Sequence, residues 1–212
     1  MSDEHLPPEQ EERAPETMGA GRLEAFSDAV MAVIITILAL GLGPPDGTSL
    51  DALGRKGGAL FVYVLAFVFV AIYWNNHHHL LRATTRINGA AMWSNMLLLF
   101  WLSLIPVVTD WIRDDAKAQT PVASLGVIAL AAALSYSLLV RSLIRANGKD
   151  SLLARAIAND AKGYVSLVLY AGGVAFAAAS ESTVWVAYVL YVAVAVMWLI
   201  PDRRFSRAAR ED

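Results

Sequence analysis

A chain of 212 residues that is 57% hydrophobic and only 17% charged is too apolar to be an ordinary water-soluble domain. It contains no cysteine, which excludes a disulfide framework and any thiolate metal site. The formal net charge is −2, but the acids are unevenly placed. Residues 1–18 hold Asp3, Glu4, Glu9, Glu11, Glu12 and Glu16 against the single base Arg13, together with three prolines. That composition predicts a disordered acidic cytosolic tail. It is not the pattern of a signal peptide, which needs a basic start followed at once by an apolar core.

A membrane-spanning helix takes roughly 20 mostly apolar residues. The first stretch of that kind is Ala25 to Leu42, stopped by Gly43-Pro44-Pro45 because proline cannot continue a hydrogen-bonded helix. The second runs from about Ala59 to Leu81 and ends in the polar cluster Asn75, Asn76, His77, His78 and His79. The third, about Ala90 to Ile112, carries Pro106 as an expected kink.

The fourth begins at Pro121, a favoured first-turn residue, and reaches about Ile144. The fifth, about Gly163 to Ala179, is rich in the small residues that let membrane helices approach closely. The sixth, about Thr183 to Ile200, is ended by Pro201. The expected fold is therefore all-α, with six transmembrane helices in a domain spanning 19–201 and a short basic tail at 202–212. That tail, with Arg203 to Arg210, has electrostatic affinity for anionic lipid.

Basic residues set the expected orientation. With an even number of spans both ends lie on one side, and placing them inside puts 13 of the 17 bases in inner segments. Only Arg55, Lys56, Arg113 and Lys117 remain outside, so both termini are expected in the cytoplasm.

Polar groups then fall into one layer. Ser27 and Asp28 rise about 8 to 9 Å above Arg22 at 1.5 Å per residue, and His77 and His78 lie at a similar distance from Arg82. Asn95, in Trp93-Ser94-Asn95, sits slightly deeper from the start of the third helix. Unsatisfied polar groups in hydrocarbon cost several kcal/mol each, so these side chains are expected to bond to one another. An intramembrane carboxylate such as Asp28 is a functional hypothesis by default, the plainer alternative being a cap at the interface.

On the first helix, Arg22, Phe26, Val33, Thr36, Ile37 and Leu40 share one side, whereas Asp28, Ile35 and Leu42 point the other way. If Asp28 faces its own bundle, the apolar stripe meets either lipid or a symmetry-related copy. The residue types leave both open.

These residues resemble a known family, the prokaryotic relatives of transmembrane protein 175, a potassium channel of endolysosomal membranes in animals. The likeness lies in the Arg-x-x-x-Phe-Ser-Asp signature (Arg22, Phe26, Ser27, Asp28), Trp74 followed by the histidines, Trp93-Ser94-Asn95, and Leu104-Ile105-Pro106. The resemblance implies a homotetramer in the plasma membrane of a prokaryote, with helix one of each subunit lining a central ion path. It assigns the pore constrictions and gate to Val33, Ile37 and Leu40, and preference for potassium to Thr36. It implies an inner network of Arg22, Phe26, Ser27, Asp28, Trp74, His77 and Asn95 that holds helix one. Val33 stands where the family often has Ile or Leu, which implies a wider neck. Potassium is the implied permeant ion. Membrane lipid is the only other implied partner, with no cofactor, nucleic acid or small-molecule substrate, and the chain is not expected to be an enzyme.

Apolar rings of this kind can gate by dewetting, so small movements of helix one would open and shut the neck. A conventional potassium channel is excluded, because the residues between helices five and six are too few for a re-entrant filter loop. Arg141 and Arg145 are an isolated pair and not a voltage sensor. No metal is expected at His77, His78 and His79, since three successive helical residues point in different directions and no His-Glu-x-x-His pattern is present. The competing reading is a proton-coupled or cation transporter in which Asp28 and His77 relay protons. A non-conducting membrane scaffold is the third.

Overall fold

In a computed structural model of the chain, residues 19–148, 151, 153–154 and 161–199 are described. The expected acidic tail at 1–18, the basic tail at 202–212 and the stop at Pro201 lie outside them. The described residues are helical throughout their regular structure: α1 (Ala20–Leu42), α2 (Leu50–Arg55), α3 (Gly57–Arg82), α4 (Gly89–Ser103), α5 (Ile105–Asp114), α6 (Gln119–Asn147), α7 (Ala161–Ala179) and α8 (Val184–Leu199). A single 3-10 turn, Glu181–Thr183, joins the last two. Among the described residues six spans are long and apolar enough to cross a membrane, with α4 and α5 forming one of them from Gly89 to Arg113. The protein is an all-helical, multi-pass membrane protein.

Helix ends follow local chemistry. α1 stops at Gly43, whose φ of +59° suits a residue without a side chain, and the two prolines that follow forbid another turn. Its last carbonyls are taken up by Lys56, whose Nζ donates to Leu42 O at 3.0 Å and Gly43 O at 3.2 Å. Asn88 caps α4 by accepting from Ala91 N at 2.8 Å. The third span is interrupted at Leu104, next to Pro106, where the expected kink lies. The short helix α2, capped by Ser49, has too few residues to leave an apolar period and was not expected from the sequence.

α6 packs mainly on α4 and α7, and α7 mainly on α6 and α8. α1 packs chiefly on α3, with further contacts to α4 and α5, through a buried row of Leu23, Ser27, Met31, Ile34 and Leu38. Lipid tails are as apolar as leucine, so close packing rather than hydrophobic exclusion holds membrane helices together. Tyr191 of α8 illustrates this: its ring lies against Gly126 of α6 and Gly173 of α7, where a Cβ would overlap it. Its hydroxyl donates to Val122 O at 3.3 Å. At the end of the bundle that holds Arg82 and Arg145, Asn147 clasps the α3–α4 connection. It accepts from Thr85 N at 3.0 Å and Arg86 N at 2.9 Å, and donates to Arg86 O at 2.9 Å.

Candidate functional site

Three helices bring their polar side chains together in the layer expected from the sequence. Asn95 on α4, His77 on α3 and Ser27 on α1 are each fully buried. His77 Nε2 and Asn95 Oδ1 are 2.7 Å apart, Asn95 Nδ2 donates to Ser27 Oγ at 2.9 Å, and Ser27 Oγ donates to Leu23 O at 2.8 Å. The donors run one way. Because the Ser27 hydroxyl proton goes to a carbonyl, its oxygen must accept from the asparagine NH2, which leaves Asn95 Oδ1 to accept from His77 Nε2–H. His77 Nδ1 is enclosed without a hydrogen-bond partner.

Asp28 is half-buried and is not part of this chain of bonds. Its Oδ1 is enclosed and has no hydrogen-bond partner. It lies instead beside Glu24, one turn earlier on α1, and His78 of α3, with one ligand-type atom from each of the three within 4.8 Å of the others. His78 Nδ1 is 2.7 Å from Glu24 Oε1, and the Trp74 ring stacks on the imidazole with centroids 5.9 Å apart and planes inclined by 23°.

The network residues therefore divide. Ser27, His77 and Asn95 form one connected set, Asp28 and Trp74 belong to a neighbouring cluster, and Arg22 and Phe26 face outward. His78 was placed in the inner layer beside His77 from the sequence, whereas Glu24 and Lys56 were not singled out as site residues. The signal for Glu24 was its spacing of four from Asp28, which puts both carboxylates on one helix face.

The outward face of α1 carries the remaining site residues. Val33, Ile37 and Leu40 are 55%, 47% and 80% exposed, and Phe26 is 49% exposed. Thr36 is exposed among them, and its hydroxyl donates to Val33 O at 2.7 Å. Beside this bulky stripe the same exposed surface carries Ala25, Ala29, Ala32 and Ala39. Near the C-terminal end of α1, Asp110 and Arg113 of α5 form an ion pair close to Gly41.

Residues 22–106, which include every one of these α1, α3 and α4 side chains, match the family described as endosomal/lysosomal potassium channel TMEM175. The chain is 42% identical over 195 residues to a protein of Chryseobacterium sp. named as a potassium channel, covering 92% of this chain and 100% of that one. A Streptomyces collinus protein, also named as a potassium channel, is 31% identical over 134 residues, covering 59% of this chain and 65% of its own length. Among solved structures, the crystal structure of a lysosomal potassium-selective channel TMEM175 homolog from Chamaesiphon minutus is similar in fold. It has a TM-score of 0.71 and 24% identity, over 85% of this chain and 96% of that chain.

Proposed function

The chain belongs to the TMEM175 family, and from that premise we propose that it is a potassium-permeable cation channel, not an enzyme, with α1 of each of four identical subunits lining the pore. The observation that carries the reading is the division of α1 into two faces. One face is buried and hydrogen-bonded to α3 and α4 through Ser27, and the other presents Val33, Ile37 and Leu40 outward. The alanines at 25, 29, 32 and 39 support a tetramer, because small side chains let a neighbouring helix come close enough to bring the bulky stripe onto a shared axis.

In this assembly Val33, Ile37 and Leu40 form apolar rings that stop ions when the neck is too narrow to hold water. Val33 is the shortest of the three, so the neck at its ring is wider than an Ile or Leu there would leave it. Thr36 spends its hydroxyl proton on its own helix, so the lone pairs of Oγ1 are free to replace water around a dehydrating cation. Potassium is the permeant ion and no cofactor takes part. The Ser27–Asn95–His77 bonds fix the end of α1 about which the helix tilts, and Arg22, Phe26, Asp28 and Trp74 flank that anchor.

The positive-inside distribution supports placing both termini in the cytoplasm of a prokaryotic cell, with the protein in the plasma membrane. A proton relay is the less favoured mechanism, because the His77 chain of bonds ends on the Leu23 carbonyl, which has no proton to pass on. Purified protein in planar bilayers tests the proposal. Unitary current steps with a reversal potential that follows the potassium gradient are expected. Flux without unitary steps points to alternating access, and the absence of potassium flux removes the reading.

A further inference from the structure

We propose that Glu24, Asp28 and His78 form a binding site for a divalent transition-metal ion, zinc in particular, which clamps α1 to α3. Their ligand-type atoms lie within 4.8 Å of one another. Ligands about 2.0–2.2 Å from one tetrahedral ion stand roughly 3.3 Å apart, so modest side-chain rotation closes the set. Two carboxylates and one imidazole suit zinc, cobalt or nickel better than magnesium or calcium, which take oxygen ligands alone.

A simple Glu24–His78 ion pair accounts for only part of the arrangement. Asp28 Oδ1 is enclosed without a partner, and a carboxylate oxygen kept from water is costly unless a cation or donor faces it. A metal ion shared by the three side chains supplies that cation. Trp74, stacked on the imidazole, holds the ring in place beside both carboxylates. The three successive histidines could not have formed this site among themselves; its other ligands come from α1.

The two helices joined by the ion are the pore-lining one and its main neighbour. Bound metal therefore resists any tilt of α1 and lowers potassium flux, a consequence that rests on the channel reading, whereas binding itself does not.

The test compares wild type with His78→Gln, Glu24→Gln and the control His79→Gln, each first checked for an unchanged size-exclusion profile. Micromolar zinc is expected to raise the Tm of wild type and His79→Gln, and cobalt to give visible d–d absorption bands. Loss of one ligand should raise the zinc concentration needed by at least about tenfold. Zinc should reduce flux through wild-type protein in liposomes and spare the His78→Gln and Glu24→Gln variants, and magnesium should do neither. Equal zinc responses in wild type and both ligand variants, or an equal response to magnesium, overturn the site. Ligand-dependent binding with unchanged flux overturns the clamp, and failure of all potassium flux with binding intact counts against the channel reading alone.

Discussion

His77 of α3 and Asn95 of α4 meet at 2.7 Å inside the bundle, and through the other side of its amide Asn95 reaches Ser27 of α1. One side chain thus joins three membrane helices. Replacing Asn95 by Ala leaves His77 Nε2 without its acceptor and Ser27 Oγ without its donor, at about 1–3 kcal/mol for each buried group. A drop in Tm and a changed open probability are expected together, read by thermal melting in detergent and by bilayer recording. His77→Ala should behave alike, and the double variant should cost less than the sum of the two, since both remove the same bond.

Val33→Asn and Ile37→Asn should raise conductance or open probability, because a polar ring keeps water in a neck that an apolar ring of similar size empties. Val33→Ala and Ile37→Ala should act in the same direction by widening it. Single-channel recording decides. Unchanged currents in all four variants would contradict a pore-lining role.

Lys56 holds the far end of the same helix, donating to the carbonyls of Leu42 and Gly43. A cation at a helix C-terminus also faces the negative end of the helix dipole, worth about 0.3–1 kcal/mol. Lys56→Met removes both interactions and should loosen the C-terminal end of α1, seen as faster hydrogen exchange at residues 38–43. Lys56→Arg should restore most of the protection.

Gly126 and Gly173 leave the space that the Tyr191 ring fills. Gly173→Ala forces the aromatic side chain out of its place and should lower stability by about 1–3 kcal/mol, as overpacking does. Combining it with Tyr191→Leu should recover part of the loss in a melting experiment.

Deletion of residues 1–18 should leave the oligomer intact, because that segment has little apolar material with which to pack. Crosslinking of the reconstituted 212-residue chain and the truncated protein checks this, and loss of the proposed tetramer on truncation would assign the tail a part in assembly.

The span count, the class of fold, the stop after Leu42 and the layer shared by Ser27, His77 and Asn95 were all legible in the sequence. Each depends on local rules: hydropathy over a helix length, proline's missing N–H, and a fixed rise per residue. Which histidine meets Asn95, and that Asp28 lies with Glu24 and His78 instead of joining that bond, depends on how α1 and α3 are rotated about their axes. A 100° step between neighbours on a helix separates His77 from His78 completely, and only side-chain packing between the helices fixes that rotation. The pairing of Lys56 with the end of α1, and of Asn147 with a loop 61 residues away, likewise needed the folded chain. Hydrogen bonds between distant segments leave no periodic mark in a sequence, because any surface lysine or asparagine looks the same until its partner is brought to it.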